Sequence, residues 1–168
     1  VAPKVETMTL EHLHEGEHSK ILYDKKKNIL RKYPTRHLEL GVLYREAYWT
    51  WQFYLGGVID RDGSLVRSSL GEPLTAENLP GNLDVQIYRI LLALAEKNCR
   101  HNNIQPDNLL VDRKRQLKLI DFAWATWTDE EIPSTWPSDL GSGFKGPDGF
   151  SDEYSLRASL DCVAGQVG

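Results

Sequence analysis

The sequence predicts an α+β fold, on three observations. The first third alternates apolar and polar residues in short runs, the pattern of antiparallel strands. Two longer segments, 37–54 and 83–98, carry apolar residues at helical period. The stretch 99–127, CRHNNIQPDNLLVDRKRQLKLIDFAWATW, holds two short apolar runs around a charged turn, a hairpin whose outer ends are crowded with polar side chains. A length of 168 residues bounds the chain to one compact domain or two small lobes packed together, enough to bury a core.

Taken in order, Met8, Leu10 and Leu13, then Ile21 and Tyr23, then Ile29 and Leu30 predict three antiparallel strands. His14-Glu15-Gly16-Glu17 and Lys25 to Asn28 mark the turns, with Lys25-Lys26-Lys27 a solvated tip. Pro34-Thr35 ends the third strand. Leu38, Val42, Leu43, Tyr44, Ala47, Tyr48, Trp51 and Tyr54 then predict a helix from His37 to Tyr54, closed by Gly56-Gly57. Glu46 falls among the apolar positions of this helix, where a carboxylate is costly unless paired. Lys32 on the third strand is its natural partner, and Glu39 is the exposed rival. Val58 to Val66 predicts a hairpin with Asp62-Gly63 at its tip. Leu74 to Pro80 predicts a short capped turn of helix. Leu83 to Asn98 predicts a strong helix, apolar over a wide arc through Val85, Ile87, Tyr88, Leu91, Leu92, Leu94 and Ala95 and so expected to be largely buried.

In the central stretch, Leu109-Leu110-Val111 and Leu117, Leu119 with Ile120 bracket the turn from Asp112 to Gln116. Such a hairpin brings His101, Asn103 and Asn108 close to Asp121. Two carboxamides and a carboxylate at strand ends suit a hard cation with phosphate, because magnesium takes oxygen ligands and keeps several waters. After Trp127, prolines and glycines from Pro133 to Gly149 predict a long loop. Ser151 then caps a last helix whose first turn is acidic, Asp152-Glu153.

The run His101-Asn102-Asn103-Ile104-Gln105-Pro106-Asp107-Asn108, followed after the hairpin by Asp121-Phe122-Ala123, resembles the catalytic and metal loops of the protein-kinase-like superfamily, H-R-D-L-x-x-x-N and D-F-G. The resemblance covers about Ile21 to Leu156. It implies a single kinase-like domain in two lobes: a small β-rich lobe with one helix over 1–70, and a truncated, mainly helical lobe over 71–168. It also implies ATP and Mg2+ as cofactors. Ile29-Leu30-Arg31-Lys32-Tyr33 is similar to V-A-I-K, which makes Lys32 the phosphate-pairing lysine and Glu46 its helix partner. Gly16 is then the one glycine of the turn that covers the phosphates. Arg67 to Glu72 becomes the hinge, with Ser68 and Ser69 offering backbone to the adenine edge. Asn108 and Asp121 hold the metal, and Asn103 stands at the catalytic position. The resemblance also implies that His101 is structural, satisfied by the metal-loop backbone, and that Asp152 supports the catalytic loop.

Several residues depart from the family pattern. Asn103 replaces the catalytic Asp, and a neutral amide cannot take a proton from a hydroxyl. Gln105 replaces a basic residue, which leans away from protein substrates. Ala123 replaces glycine and removes some backbone freedom. Nothing resembling A-P-E follows, and Gly16 stands alone where G-x-G-x-x-G is expected.

Composition limits the partners. Twenty Lys plus Arg against 24 Asp plus Glu leave a formal charge of −4, so no global basic field draws nucleic acid or anionic membrane. Cys99 and Cys162 lack metal-ligand spacing, which favours a reduced compartment, and Cys99 reads as a small buried hydrophobe. No stretch is long and apolar enough to span a bilayer, and the first residues form no signal core, so no membrane insertion and a cytoplasmic location are expected. The chain resembles the bacterial lipopolysaccharide and O-antigen kinases, including kinase modules fused to methyltransferases. That resemblance implies phosphoryl transfer to a sugar, glycan or other small-molecule hydroxyl, as part of a larger multidomain protein. Two other readings of Asn103 stand beside it: a pseudokinase acting as a nucleotide-binding or interaction module, and an engineered Asp→Asn change in a site whose other parts, the glycine turn excepted, match the family pattern.

Overall fold

The alternating runs of the first third pair as antiparallel strands in the computed structural model, which describes residues 10–15, 19–34, 40–54, 58–137, 140–147 and 149–165. The described residues form a mixed α+β structure with three α-helices and small antiparallel sheets. The chain divides into two compact units, Val1–Ser69 and Leu70–Gly168.

In the first unit, β1 (Leu10–Glu15), β2 (Ser19–Asp24) and β3 (Ile29–Pro34) are followed by α1 (Leu40–Tyr54), β4 (Val58–Ile59) and β5 (Leu65–Ser68). The sheet order is β1-β2-β3-β5-β4. Between β2 and β3 the Asp24 carboxylate accepts from the Lys26 and Lys27 amides at 3.0 and 3.2 Å, leaving the three lysines in solvent. Asn28 closes that turn at φ 54, a left-handed conformation that asparagine tolerates better than most residues. Gly63 at φ 83 forms the tip between β4 and β5, as Asp62-Gly63 predicts. Leu43 and Ala47 of α1 bury against Leu65, with Ile59 packed beside them. The apolar arc of α1 is wider than its covered face, for Tyr44, Tyr48 and Trp51 are exposed. Positions 37–39 and the Gly56-Gly57 pair lie outside the described residues.

The second unit holds β6 (Glu72–Pro73), α2 (Leu83–Glu96), β7 (Cys99–Arg100), β8 (Leu109–Val111), β9 (Leu117–Leu119), β10 (Thr126–Trp127) and α3 (Asp152–Ala164). One sheet runs β6-β8-β9, and β7 pairs with β10. Of the residues expected to form a hinge, Arg67 and Ser68 belong to β5 and Glu72 to β6.

Two further expectations are corrected. Leu74 to Pro80 holds a turn rather than helix. The Thr75 amide donates to Asn78 Oδ1 at 2.7 Å and the Asn78 amide to Thr75 Oγ1 at 3.3 Å, local bonds that compete with a helical ladder. Helix α2 buries a narrower face than its composition suggests: Gln86, Ile87, Ile90 and Leu94 are covered, while Val85, Tyr88 and Leu92 are exposed. Gln86 sets this rotation. Its Nε2 donates to Arg115 O at 3.3 Å, and its Oε1 accepts from the Leu117 amide at 3.1 Å, tying the helix to the hairpin. The helix ends at Glu96, and Asn98 at φ 51 turns the chain toward β7.

Gly71 lies where β6 meets β8, and a Cβ there would collide with the Val111 carbonyl. Gly71→Ala is therefore expected to cost about 3 kcal/mol in a denaturant titration. Gly81→Ala, with nothing within 4 Å of its Cβ position, serves as the control and should stay within about 0.5 kcal/mol.

Candidate functional site

Lys32 and Glu46 meet in the first unit for a reason set by register. Lys32 lies opposite Leu65 in the β3–β5 pair, and directly opposed residues project on the same face of a sheet. Helix α1 covers that face through Leu43 and Ala47, the residues three before and one after Glu46. The Lys32 Nζ consequently lies 2.9 Å from Glu46 Oε2, with the two side chains 15% and 3% exposed. At this burial neither charge has enough water to be stable alone.

The polar residues at the ends of the hairpin collect in the second unit around a buried histidine. Leu109 pairs with Leu119 and Val111 with Leu117, so the strand ends place Asn108 opposite Ile120, the residue before Asp121. The Ile120 amide donates to Asn108 O at 2.9 Å. His101 is fully buried, with Nε2 2.8 Å from Ile120 O and Nδ1 accepting from the Asn103 amide at 3.2 Å. Those two bonds require the Nε2-protonated, neutral ring. Burial pushes the His101 pKa below its ordinary value of 6.5, in keeping with neutrality. The ring also meets Phe122 edge-on, centroids 4.9 Å apart. Asp152, at the start of α3, accepts from the His101 and Asn102 amides at 2.7 and 3.1 Å. Ser151 caps α3 by accepting from the Tyr154 amide.

Asn108 closes a single 3-10 turn, Pro106–Asn108, and its Nδ2 donates to Asn103 O at 2.8 Å. That bond orients the carboxamide and, among the described residues, leaves Oδ1 for a ligand. Asp121 takes φ 63 between the His101-bound Ile120 and the buried Phe122. Asn103 is 9% exposed, and its Oδ1 accepts from the Gly141 amide at 3.2 Å. Gly141 is at φ 81, a conformation that suits glycine. The environment of Asn103 thus uses the side chain as an acceptor, a capacity a carboxylate shares.

No group of three or more His, Cys, Asp or Glu suited to a metal occurs among the described residues. Asn108 and Asp121 carry oxygen donors of the kind that could hold a cation completed by phosphate oxygens and water. That is how magnesium is commonly bound in nucleotide sites. Gly16 lies outside the described residues. Ser68 sits in β5 opposite Ile29, and the Ser69 amide donates to Asn28 O at 3.0 Å, so that donor is engaged within its own unit. Cys99 is buried, which pushes its thiol pKa up and makes it inert, while Cys162 is exposed.

Sequence reasoning missed Gln86, the side-chain bonds of Asn102 and the Gly141 contact to Asn103. A polar residue on the apolar face of α2 signalled the first. No family model matches the chain, and no curated protein matches it. No helix of the described residues is long and apolar enough to cross a membrane.

The Lys32–Glu46 pair gives a direct energetic test. Lys32→Met or Glu46→Leu alone should destabilise the first unit by about 3 kcal/mol or more, because each removes one half of a buried ion pair. The double variant should recover most of that loss in denaturant unfolding. Simple addition of the two losses would show that the charges are not coupled.

Proposed function

We propose that this chain is a compact protein-kinase-like phosphotransferase that uses Mg2+-ATP and acts on a sugar, glycan or other small-molecule hydroxyl. The observation that carries this reading is the hairpin register, which sets Asn108 opposite Ile120, the residue before Asp121, with neutral His101 bonded to the backbone of both approaches. The buried Lys32–Glu46 pair supports it independently, since an ammonium fixed by a carboxylate is suited to pairing with phosphate.

In this reading Lys32 pairs with the nucleotide phosphates and Glu46 holds it in place. Asn108 and Asp121 would hold the cation. Bound Mg2+ would screen phosphate charge and align the transferring group. Asn103 orients the acceptor hydroxyl by hydrogen bonding, leaving catalysis to positioning and charge stabilisation without a strong base. Gln105, in place of a basic residue, favours a small-molecule or glycan acceptor over a peptide. A cytoplasmic location and membership of a larger multidomain protein go with this reading. Asn103 also favours a second reading, a pseudokinase that binds nucleotide and serves as an interaction module.

Restoring the base separates the two. Asn103→Asp should raise phosphoryl transfer by about 10²–10⁴-fold, the usual contribution of a well-placed general base. The new carboxylate can keep the bond from the Gly141 amide, so the fold should be retained. ATP consumption would be followed with sugar, glycan and peptide acceptors, and Asp121→Ala should abolish Mg2+-dependent ATP binding in calorimetry. Gain with a sugar or glycan supports the phosphotransferase. No gain with any acceptor, while Mg2+-ATP still binds, supports the pseudokinase. Undiminished Mg2+-ATP binding by Asp121→Ala would refute the metal assignment.

A further inference from the structure

We propose that Asn102 is a positioning residue: its side chain fastens the stretch after the metal loop to the catalytic loop and so fixes Asp121 for cation binding. This rests on the functional reading above. The Asn102 Nδ2 donates to two acceptors, Trp124 O at 2.9 Å and Thr126 Oγ1 at 3.0 Å. Its backbone amide donates to Asp152 Oδ1 at 3.1 Å, so one residue joins α3, the catalytic loop and the run into β10. Thr126 is fully buried and pairs with Arg100, so the far end of the fork is itself anchored.

The turn bearing Asp121 is therefore held on both sides by consecutive residues. His101 takes the near side through Ile120 O and the Phe122 ring, and Asn102 takes the far side at Trp124 and Thr126. Within the turn the Ala125 amide donates to Phe122 O at 3.1 Å. Asp121 at φ 63 is a conformation that needs such support.

Asn102 is locally unfavourable where it stands. It is 3% exposed at φ 69, and its Oδ1 is buried without a hydrogen-bond partner among the described residues. A buried acceptor left unmade is costly, and a small apolar residue would avoid that cost. The compensation is the fork from Nδ2, which holds the metal-loop turn at Trp124 and Thr126. Costs of this kind collect at functional sites. Supporting groups that orient a ligand-bearing side chain commonly change metal affinity by about 10–100-fold when removed.

Two substitutions isolate the fork in the full chain. Asn102→Gly keeps the left-handed backbone without strain and keeps the amide bonded to Asp152, but deletes the carboxamide. Asn102→Asp keeps size and shape but has no proton to donate when ionised. Calorimetry would follow ATP binding as Mg2+ is titrated and, separately, adenosine binding in chelator. Both variants should need about 10–100-fold more Mg2+ for half-maximal ATP binding, with adenosine affinity unchanged. Thr126→Val, which removes one acceptor at nearly constant volume, should shift the Mg2+ requirement in the same direction by less. It decides the matter if the Asn102 variants do not fold. An unchanged Mg2+ requirement beside a lower thermal midpoint would overturn the proposal and leave Asn102 a structural residue. A parent chain that binds no Mg2+-ATP would overturn the functional reading and this proposal together.

Discussion

The second unit depends on one neutral imidazole. His101 must donate through Nε2 and accept through Nδ1 at once, and only the uncharged ring can do both. Its burial enforces that state by penalising the charged form. The two bonds reach residues far apart in sequence, Ile120 after the hairpin and Asn103 before it, so the ring sets how the two polar ends of the hairpin meet. Asp152 secures the same loop from behind through two backbone amides. Without the ring, hairpin register would still align Asn108 with Ile120, but the turn at Asp121 would lose its anchor on the Ile120 side.

Local costs gather around this ring. Asn102 and Asp121 both adopt left-handed backbone, and Gly141 does so where its amide reaches Asn103. The first unit carries a different cost, a carboxylate and an ammonium withdrawn from water and matched at 2.9 Å. A buried ion pair is weak support for stability, since an apolar pair of similar volume often does as well. Of these costly residues, Asp121, Lys32 and Glu46 are ones the proposed chemistry uses. The residues packed behind them, Leu43, Leu65, Leu109 and Phe122, are ordinary buried hydrophobes.

Much of this arrangement was legible because several residues had few alternatives. Glu46 lay among apolar helix positions and needed a cation, and Lys32 was one of two basic residues on the strand before it, the other, Arg31, pairing with Asp60. The runs 109–111 and 117–120 fixed a hairpin, and with it the approach of Asn108 to Asp121. Strands β6, β7 and β10 were not legible, since two residues carry no periodicity. The face of α2 was misjudged because a hydrogen-bonded glutamine, rather than the broad apolar arc, set its rotation. Thr75 and Asn78 resemble helix-cap residues in sequence and instead close a turn on each other. The Gly141 amide that holds Asn103 lies 38 residues away and donates from the backbone, so it leaves no side-chain mark.

The central claim is that Asn108 and Asp121 form a nucleotide-dependent cation site. Mn2+, a paramagnetic stand-in for Mg2+, tests it directly in the amide spectrum of the isotope-labelled chain. With ATP present, trace Mn2+ should broaden the signals of Asn108, Asp121 and their hairpin neighbours before all others, and without nucleotide it should spare them. Broadening centred on exposed acidic residues elsewhere, or unaffected signals at Asn108 and Asp121 while ATP is bound, would contradict the account.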